Sequence, residues 1–206
     1  MSLSSPAYRR RGRYNDEEEG RPLHLIERSR TGNGYELNDR ELQILAQTLR
    51  SPRFADKKTA VISVAGAMRT GKSRLLNFFL EALSWMEQGR ELDDLVLMQQ
   101  PLLAEFSSRT GQAQDTIGVL VWSRPFLIRN GDRGEELAVL LVDTQGSFDA
   151  EARREDNAAL FAFSSLLAST QIFNVPQNLN ESVLDYLHFF TQFGTHMTRG
   201  QRRVYQ

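Results

Sequence analysis

Cysteine is absent from this chain of 206 residues, and neither sign of charge dominates it. Without cysteine the protein has no disulfide scaffold, no thiolate zinc site and no cysteine nucleophile. The 25 basic and 26 acidic residues give a formal net charge of −1. No global basic field therefore favours nucleic acid or an anionic membrane surface as a partner, and we expect no nucleic acid partner.

Long apolar runs are missing as well. The longest uncharged stretch, residues 157–180, is interrupted by Asn, Gln, Ser and Pro176. It does not supply the roughly 20 continuous apolar residues that a membrane-spanning helix needs. The N-terminus carries a basic cluster at residues 9–13 and an acidic run at residues 16–19 without an apolar core, so it is no secretory signal. We expect that this chain by itself does not cross a membrane.

The remaining composition is that of a soluble globular protein, with 40% hydrophobic residues and 14 glycines. Residues 1–21 are too polar and too charged to bury a core, and they are predicted to form a disordered tail. Their arginines could instead contact phosphates or lipid headgroups, but terminal charge runs are usually solvated. Residues 22–206 are then the folded part of the chain.

Hydrophobic periodicity predicts alternating strands and helices after the tail. Asn38 is the expected N-cap of the first helix, with Glu41 as its capping-box partner. The irregular, polar segment 88–115 is typical of a functional or mobile loop. This order indicates an α/β fold whose sheet is parallel except for one antiparallel edge. The predicted elements are a hairpin of strands 22–27 and 35–37, helix 39–50, strand 59–66, helix 73–86, a hairpin of runs 117–128 and 136–143, helix 153–168, strand 169–175 and helix 181–193.

The most informative motif is a phosphate-binding loop between the buried strand 59–66 and the following helix. Its residues follow the pattern of Gly, four residues, Gly, Lys and Ser. Backbone N–H groups of such a loop surround the β-phosphate, Lys72 bridges β- and γ-oxygens, and the Ser73 hydroxyl binds magnesium. The predicted nucleotide-binding residues of the loop are Gly66, Ala67, Met68, Arg69, Thr70, Gly71, Lys72 and Ser73.

Two further sites fit a nucleotide hydrolase. Asp143 ends an apolar strand, where an acidic residue can hold magnesium through water, and the N–H of Gly146 can sense the γ-phosphate. Thr116 lies just before a strand, and a threonine at such a position can close over magnesium. The predicted metal site therefore consists of Ser73, Thr116 and Asp143, and Mg²⁺ is the predicted cofactor.

Arg69 and Gln145 have roles that spacing alone leaves open. An Arg69 guanidinium turned toward the γ-phosphate would be an arginine finger in cis, whereas one turned outward would be solvated. Gln145 is placed among the nucleotide-binding residues, but not as a water-orienting glutamine, because that residue follows the glycine, where this chain has Ser147. The three histidines have no metal-ligand spacing.

Several long segments resemble the atlastins, which are dynamin-superfamily GTPases. The similarity runs from about Pro22 to Gly194 and includes VISVAGAMRTGKSRLLNFFL, GVLVWSRPFLI, VLLVDTQGSFD and LFAFSSLLASTQIFNVPQNLNESVLDYLHFFTQFG. The core Arg-Thr-Gly-Lys-Ser also resembles guanylate-binding proteins. The implied fold is a Ras-like P-loop GTPase of the α/β class, a three-layer sandwich with a mostly parallel sheet, truncated before its C-terminal part.

The resemblance also implies residue roles and partners. Arg69 would be the cis arginine finger, Thr116 the first-switch threonine, and Arg109 an arginine that contacts the partner G domain or the nucleotide. The implied catalytic set is Arg69, Lys72, Thr116 and Gly146. The complete protein would bind GTP and GDP, dimerise through its G domain and fuse endoplasmic reticulum membranes from their cytosolic face, through C-terminal segments that bind the membrane. This chain alone would be soluble and cytosolic.

The chain also departs from the atlastin pattern. No Arg-Asp pair, the family's guanine-specificity motif, follows Gly194, and residues 195–206 stop resembling the family. Ser108 replaces an expected aromatic residue and Thr70 an expected lysine. Two alternatives stay open, namely a GTPase like the guanylate-binding proteins and a catalytically inactive interaction module.

Overall fold

A computed structural model gives the fold. It describes residues 20–29, 34–66, 70–90, 106, 118–129, 134–145 and 154–175, and residues 181, 184, 185, 187, 188 and 192. Most of the predicted helix 181–193 and the loop 91–117, apart from Phe106, lie outside these residues. The elements are β1 (Pro22–Arg28), β2 (Tyr35–Leu37), α1 (Asp39–Leu49), β3 (Lys58–Gly66), α2 (Lys72–Glu87), β4 (Gly118–Trp122), β5 (Phe126–Arg129), β6 (Glu136–Gln145), α3 (Arg154–Leu167) and β7 (Thr170–Asn174).

One seven-stranded sheet contains all of these strands. Six of them follow the order β2-β1-β4-β6-β3-β7, and β5 pairs with β6 outside this order. Strand β3 pairs in parallel with β6 and β7, whereas β6 pairs antiparallel with β4 and β5. Strand β1 is antiparallel to β4, so β1, β3, β6 and β7 share one direction. The antiparallel part of the sheet is larger than the single edge that was predicted, because the N-terminal hairpin of β1 and β2 joins the sheet through β4.

Helices cover both faces of the sheet. On one face, Leu45 of α1 and Leu160 of α3 pack in a core with Leu140 and Val142 of β6. On the other face, α2 packs against Val139 and Leu141 of the same strand. Successive side chains of a strand point to opposite faces, so β6 supplies both cores in alternation. The predicted α/β class and its three-layer arrangement are confirmed.

The first arm of the predicted hairpin 117–128 is two strands rather than one. Strand β4 pairs with the C-terminal half of β6 and β5 with its N-terminal half. Between them, the N–H of Ser123 donates to the carbonyl of Arg21 at 2.9 Å, and the Ser123 hydroxyl accepts from the N–H of Arg21 at 2.9 Å. Pro125 has no N–H to donate. The backbone therefore leaves the ladder at residues 123–125.

At the N-terminus of α1, one of the two hydrogen bonds of the predicted capping box forms and the other does not. The Asn38 side chain accepts a hydrogen bond from the N–H of Glu41 at 3.2 Å, as an N-cap does. The reciprocal arm of the capping box is absent, because the Asn38 N–H donates to the carbonyl of Leu25 at 2.9 Å. The Glu41 carboxylate instead pairs with Arg21 at 3.0 Å. Arg21, which the sequence assigns to the tail, is thus bound to the folded unit.

No helix of 18 or more residues among the described ranges is apolar enough to cross a membrane. Large aromatic residues of β4 and α3 are buried or partly buried. Trp122 is buried in the core beneath α2, and Phe161 and Phe163 pack against the cores on the other face.

Candidate functional site

The predicted phosphate loop lies where β3 ends and α2 begins. Gly66 is the last residue of β3, and Gly71 is the N-cap of α2 in the left-handed conformation, with φ 88°. A non-glycine residue is strained in this conformation. The strand and helix on the two sides of the motif are therefore those that a phosphate loop requires. Ala67, Met68 and Arg69 lie outside the described residues.

Gly66 is a position that only glycine can occupy without displacing the backbone. Its φ is 151°, and a Cβ atom at this position would lie 2.1 Å from the carbonyl oxygen of Asn174. Gly66 and Asn174 are paired in the parallel ladder of β3 and β7. The loop therefore leaves the sheet in direct contact with the end of β7.

Lys72 and Asp143 form the electrostatic centre of the site. Parallel pairing places Asp143 of β6 beside Val64 of β3, and Lys72 is the first residue of α2. Asp143 is 0% exposed and Lys72 is 9% exposed. Burial lowers the pKa of Lys72, and Asp143 opposes that shift. Burial raises the pKa of Asp143 to about 6, and Lys72 opposes that shift.

These shifts identify Asp143 as a buried carboxylate whose charge is opposed by burial and only partly compensated by Lys72. Neither of its oxygens has a hydrogen-bond partner among the described residues. A buried ionised carboxylate is costly unless a cation or hydrogen-bond donors compensate it. Perturbed titratable groups of this kind are concentrated at functional sites.

The raised pKa of Asp143 predicts a pH-dependent stability in the absence of nucleotide and magnesium. The folded protein binds this proton more tightly than the unfolded chain, in which the pKa is near the ordinary value of 3.8. The contribution of Asp143 to the stability of the folded protein is therefore most favourable below about pH 4, and it is lost as the pH rises to about 6. The shift of about 2 pH units corresponds to about 3 kcal/mol.

Urea unfolding between pH 4 and 7.5 measures this effect, with Asp143→Asn as the matched control. Asparagine cannot titrate, so the parent protein should lose up to about 3 kcal/mol of unfolding free energy relative to the variant over this range. Parallel pH profiles of the two proteins would contradict the assignment.

The side chains at this site fit magnesium. Hydroxyl and carboxylate oxygens are the ligands that Mg²⁺ prefers, and it usually takes only one or two carboxylates together with water and substrate phosphates. Ser73 lies in the first turn of α2, and the Asp143 oxygens have no hydrogen-bond donors among the described residues. No group of three or more His, Cys, Asp and Glu side chains that could hold a metal by themselves occurs in the described part of the chain.

The segment around Asp143 is held in the sheet by its neighbours. The Thr144 hydroxyl donates to the carbonyl of Val64 at 3.0 Å, which ties β6 to β3. Gln145 is the last residue of β6 and lies opposite Gly118, the first residue of β4. The end of β6 and the start of β4 therefore meet at the edge where β3 ends. The predicted site residues Arg109, Thr116 and Gly146 lie outside the described residues.

Two polar residues near the site were missed in the sequence. Asn174 donates from its side chain to the carbonyl of Thr70 at 2.9 Å. Asn77, buried in α2, accepts from the N–H of Phe106 at 3.0 Å, and the Phe106 ring packs on Trp122 at 5.4 Å between centroids. A polar residue inside the apolar stripe of α2 was the available signal for Asn77. For Asn174 the signal was its position at the end of a strand, because ligands of α/β sheets bind at the carboxyl ends of strands.

Comparison with known proteins gives a consistent result. The sequence profile of the family described as guanylate-binding protein, N-terminal domain, matches residues 33–204. The chain is 38% identical over 162 residues to atlastin-1 of Macaca fascicularis, which covers 79% of this chain and 28% of that protein. It is 39% identical over 150 residues to atlastin of Drosophila melanogaster, covering 73% of this chain and 28% of that protein.

Mouse atlastin-3 is 36% identical over 173 residues, which covers 84% of this chain and 31% of that protein. The chain thus spans less than a third of the length of the curated relatives it matches.

Proposed function

The chain belongs to the guanylate-binding protein N-terminal domain family and is atlastin-like, and from this premise we propose that it binds GTP with magnesium and contributes to GTP hydrolysis. The observation that carries the proposal is the buried pair of Lys72, at the start of α2, and Asp143, near the end of β6. A buried cation and a buried carboxylate beside a helix N-terminus match a site for phosphate and a hard metal ion.

Each proposed role uses a group that this chain supplies. Lys72 would bind the phosphate oxygens, and the N–H groups at the start of α2 would face the same anion. Ser73, Thr116 and Asp143 would hold magnesium, which when bound neutralises charge on the phosphates. Arg69 would stabilise the charge that develops as water attacks the γ-phosphate, and the Gly146 N–H would hydrogen-bond that phosphate. Arg109 and Gln145 complete the proposed nucleotide contacts.

The wider role is a proposal by similarity to the atlastins. The complete protein would dimerise through its G domain and fuse endoplasmic reticulum membranes, with this domain on the cytosolic face and other segments in contact with the membrane. A second candidate is a nucleotide-binding module that hydrolyses nothing.

Titration of this chain with fluorescent GTP and ATP analogues, alongside phosphate release, tests the proposed function. We expect saturable binding of the GTP analogue that weakens when EDTA removes magnesium, because metal and triphosphate share the site. Circular dichroism shows whether the chain is folded during the titration. No binding by a folded chain would contradict the proposal, and binding without phosphate release would support the second candidate.

A further inference from the structure

Asn174, the last residue of β7, contacts the phosphate loop through its side chain. Its Nδ2 atom donates to the Thr70 carbonyl oxygen at 2.9 Å. The same nitrogen lies 3.5 Å from the Thr70 hydroxyl oxygen. Thr70 directly precedes Gly71, the N-cap of α2. The side chain therefore acts on the end of the loop that leads into the helix.

The backbone of Asn174 contacts the other end of the loop. Its carbonyl oxygen lies 2.1 Å from the place that a Cβ atom on Gly66 would take. The two residues are also paired in the parallel ladder. One residue thus fixes the position where the loop leaves β3 and the position where it enters α2.

The hydrogen bond to Thr70 also determines an orientation. The Thr70 carbonyl and the Gly71 N–H belong to one planar trans peptide, in which the two groups point in opposite directions. Holding the carbonyl toward β7 directs the Gly71 N–H to the opposite side. N–H groups at a helix start bind anions only when they face the ligand.

We propose that Asn174 is a positioning residue, which orients the Gly71 N–H for the β- and γ-phosphates of the nucleotide. This inference rests on the proposed function. Orientation before binding reduces the cost of ordering the loop when the nucleotide arrives. Loss of the donor should therefore weaken nucleotide binding, while the chemical step is affected less.

Two substitutions in the complete chain remove the donor in different ways. Asn174→Ala deletes the hydrogen bond, and we expect the Kd for a fluorescent GTP analogue to rise roughly 3- to 10-fold, the net effect of one such bond. Asn174→Asp keeps the shape, but its carboxylate faces the Thr70 carbonyl and adds negative charge near the phosphates. Its Kd should rise more than that of the alanine variant, by roughly 30-fold or more, and the excess should shrink at high salt.

Thr170→Ala is the matched control. Thr170 is the exposed first residue of β7, paired with Ile62 and remote from the loop along the strand. We expect the parent Kd for this variant. In turnover assays, the Asn174 variants should raise KM more than they lower kcat, because the contact acts equally in ground and transition states.

The outcomes separate this inference from the function on which it rests. If neither the parent protein nor the Thr170→Ala control binds the GTP analogue, the proposed function and this inference are both contradicted. A parent that binds, with both Asn174 variants within twofold of its Kd, would overturn this inference alone. A lowered thermal midpoint with unchanged Kd would show that Asn174 only stabilises the sheet, and a fall in kcat at constant KM would also overturn the positioning role.

Discussion

Replacing Arg69 by alanine is expected to lower GTP turnover by about 10³- to 10⁵-fold while leaving nucleotide binding nearly intact. An arginine that stabilises charge on the transferring phosphoryl group acts mainly in the transition state. Its loss should therefore lower kcat and kcat/KM together and leave KM close to the parent value. Phosphate release under single- and multiple-turnover conditions, in the complete protein, measures this effect.

Two control variants make the Arg69 result specific. Arg74→Ala removes an exposed arginine from the first turn of α2 and should change neither constant. Arg69→Lys keeps a positive charge but loses the planar fork of five donors, so it should restore only a small part of the turnover. Turnover of Arg69→Ala at the parent rate would exclude the arginine-finger role.

Replacing Lys72 by alanine is expected to weaken the binding of the GTP analogue by about 100-fold or more. A buried ammonium group contributes charge-assisted hydrogen bonds to phosphate, and removal of one partner of a buried charged contact costs about 2–5 kcal/mol. The effect should appear in Kd itself, in contrast to that of Arg69→Ala. Titration with the GTP analogue, with and without magnesium, measures it.

The buried pair adds a second readout for Lys72. The cation opposes the burial that raises the pKa of Asp143. In Lys72→Ala this opposition is lost, so the pKa of Asp143 should rise further above 6 and the pH profile of unfolding should shift to higher pH.

Lys58→Ala is the matched control for Lys72, because the Lys58 side chain is 75% exposed and pairs with Glu135 at the surface. Surface pairs of this kind contribute little to stability, so we expect no change in Kd or in the pH profile. Parent-like affinity in Lys72→Ala would contradict the phosphate-binding role.

Most elements of the fold were predictable because their signals are local. The hydrophobic periodicity of residues 73–86 predicted α2 nearly to the residue, because the helix spans Lys72–Glu87. The β-branched run 59–66 likewise gave β3, Lys58–Gly66. Helical spacing and strand length are properties of a short window, so neighbouring residues are sufficient to indicate them.

The errors arose where a distant residue competed for a local partner. Glu41 was expected to close the capping box of α1. Its carboxylate instead pairs with Arg21, which lies well before the helix in the sequence. The run 117–128 was expected to form one continuous arm of a hairpin. Ser123 is instead hydrogen-bonded to Arg21, and the strand is divided there. A local sequence pattern indicates only nearby partners. The folded sheet brings Arg21 close to both Glu41 and Ser123.

By itself the sequence determined the phosphate-loop motif, the strand and helix on its two sides, and the family resemblance, because motif spacing and periodicity are contained in contiguous residues. The tertiary structure decided which residues meet at the loop. It placed Asp143 and Lys72 together in the interior and set Asn174 against both Gly66 and Thr70. These contacts depend on the register of β3 with β6 and β7, which is fixed only when both faces of the sheet are buried.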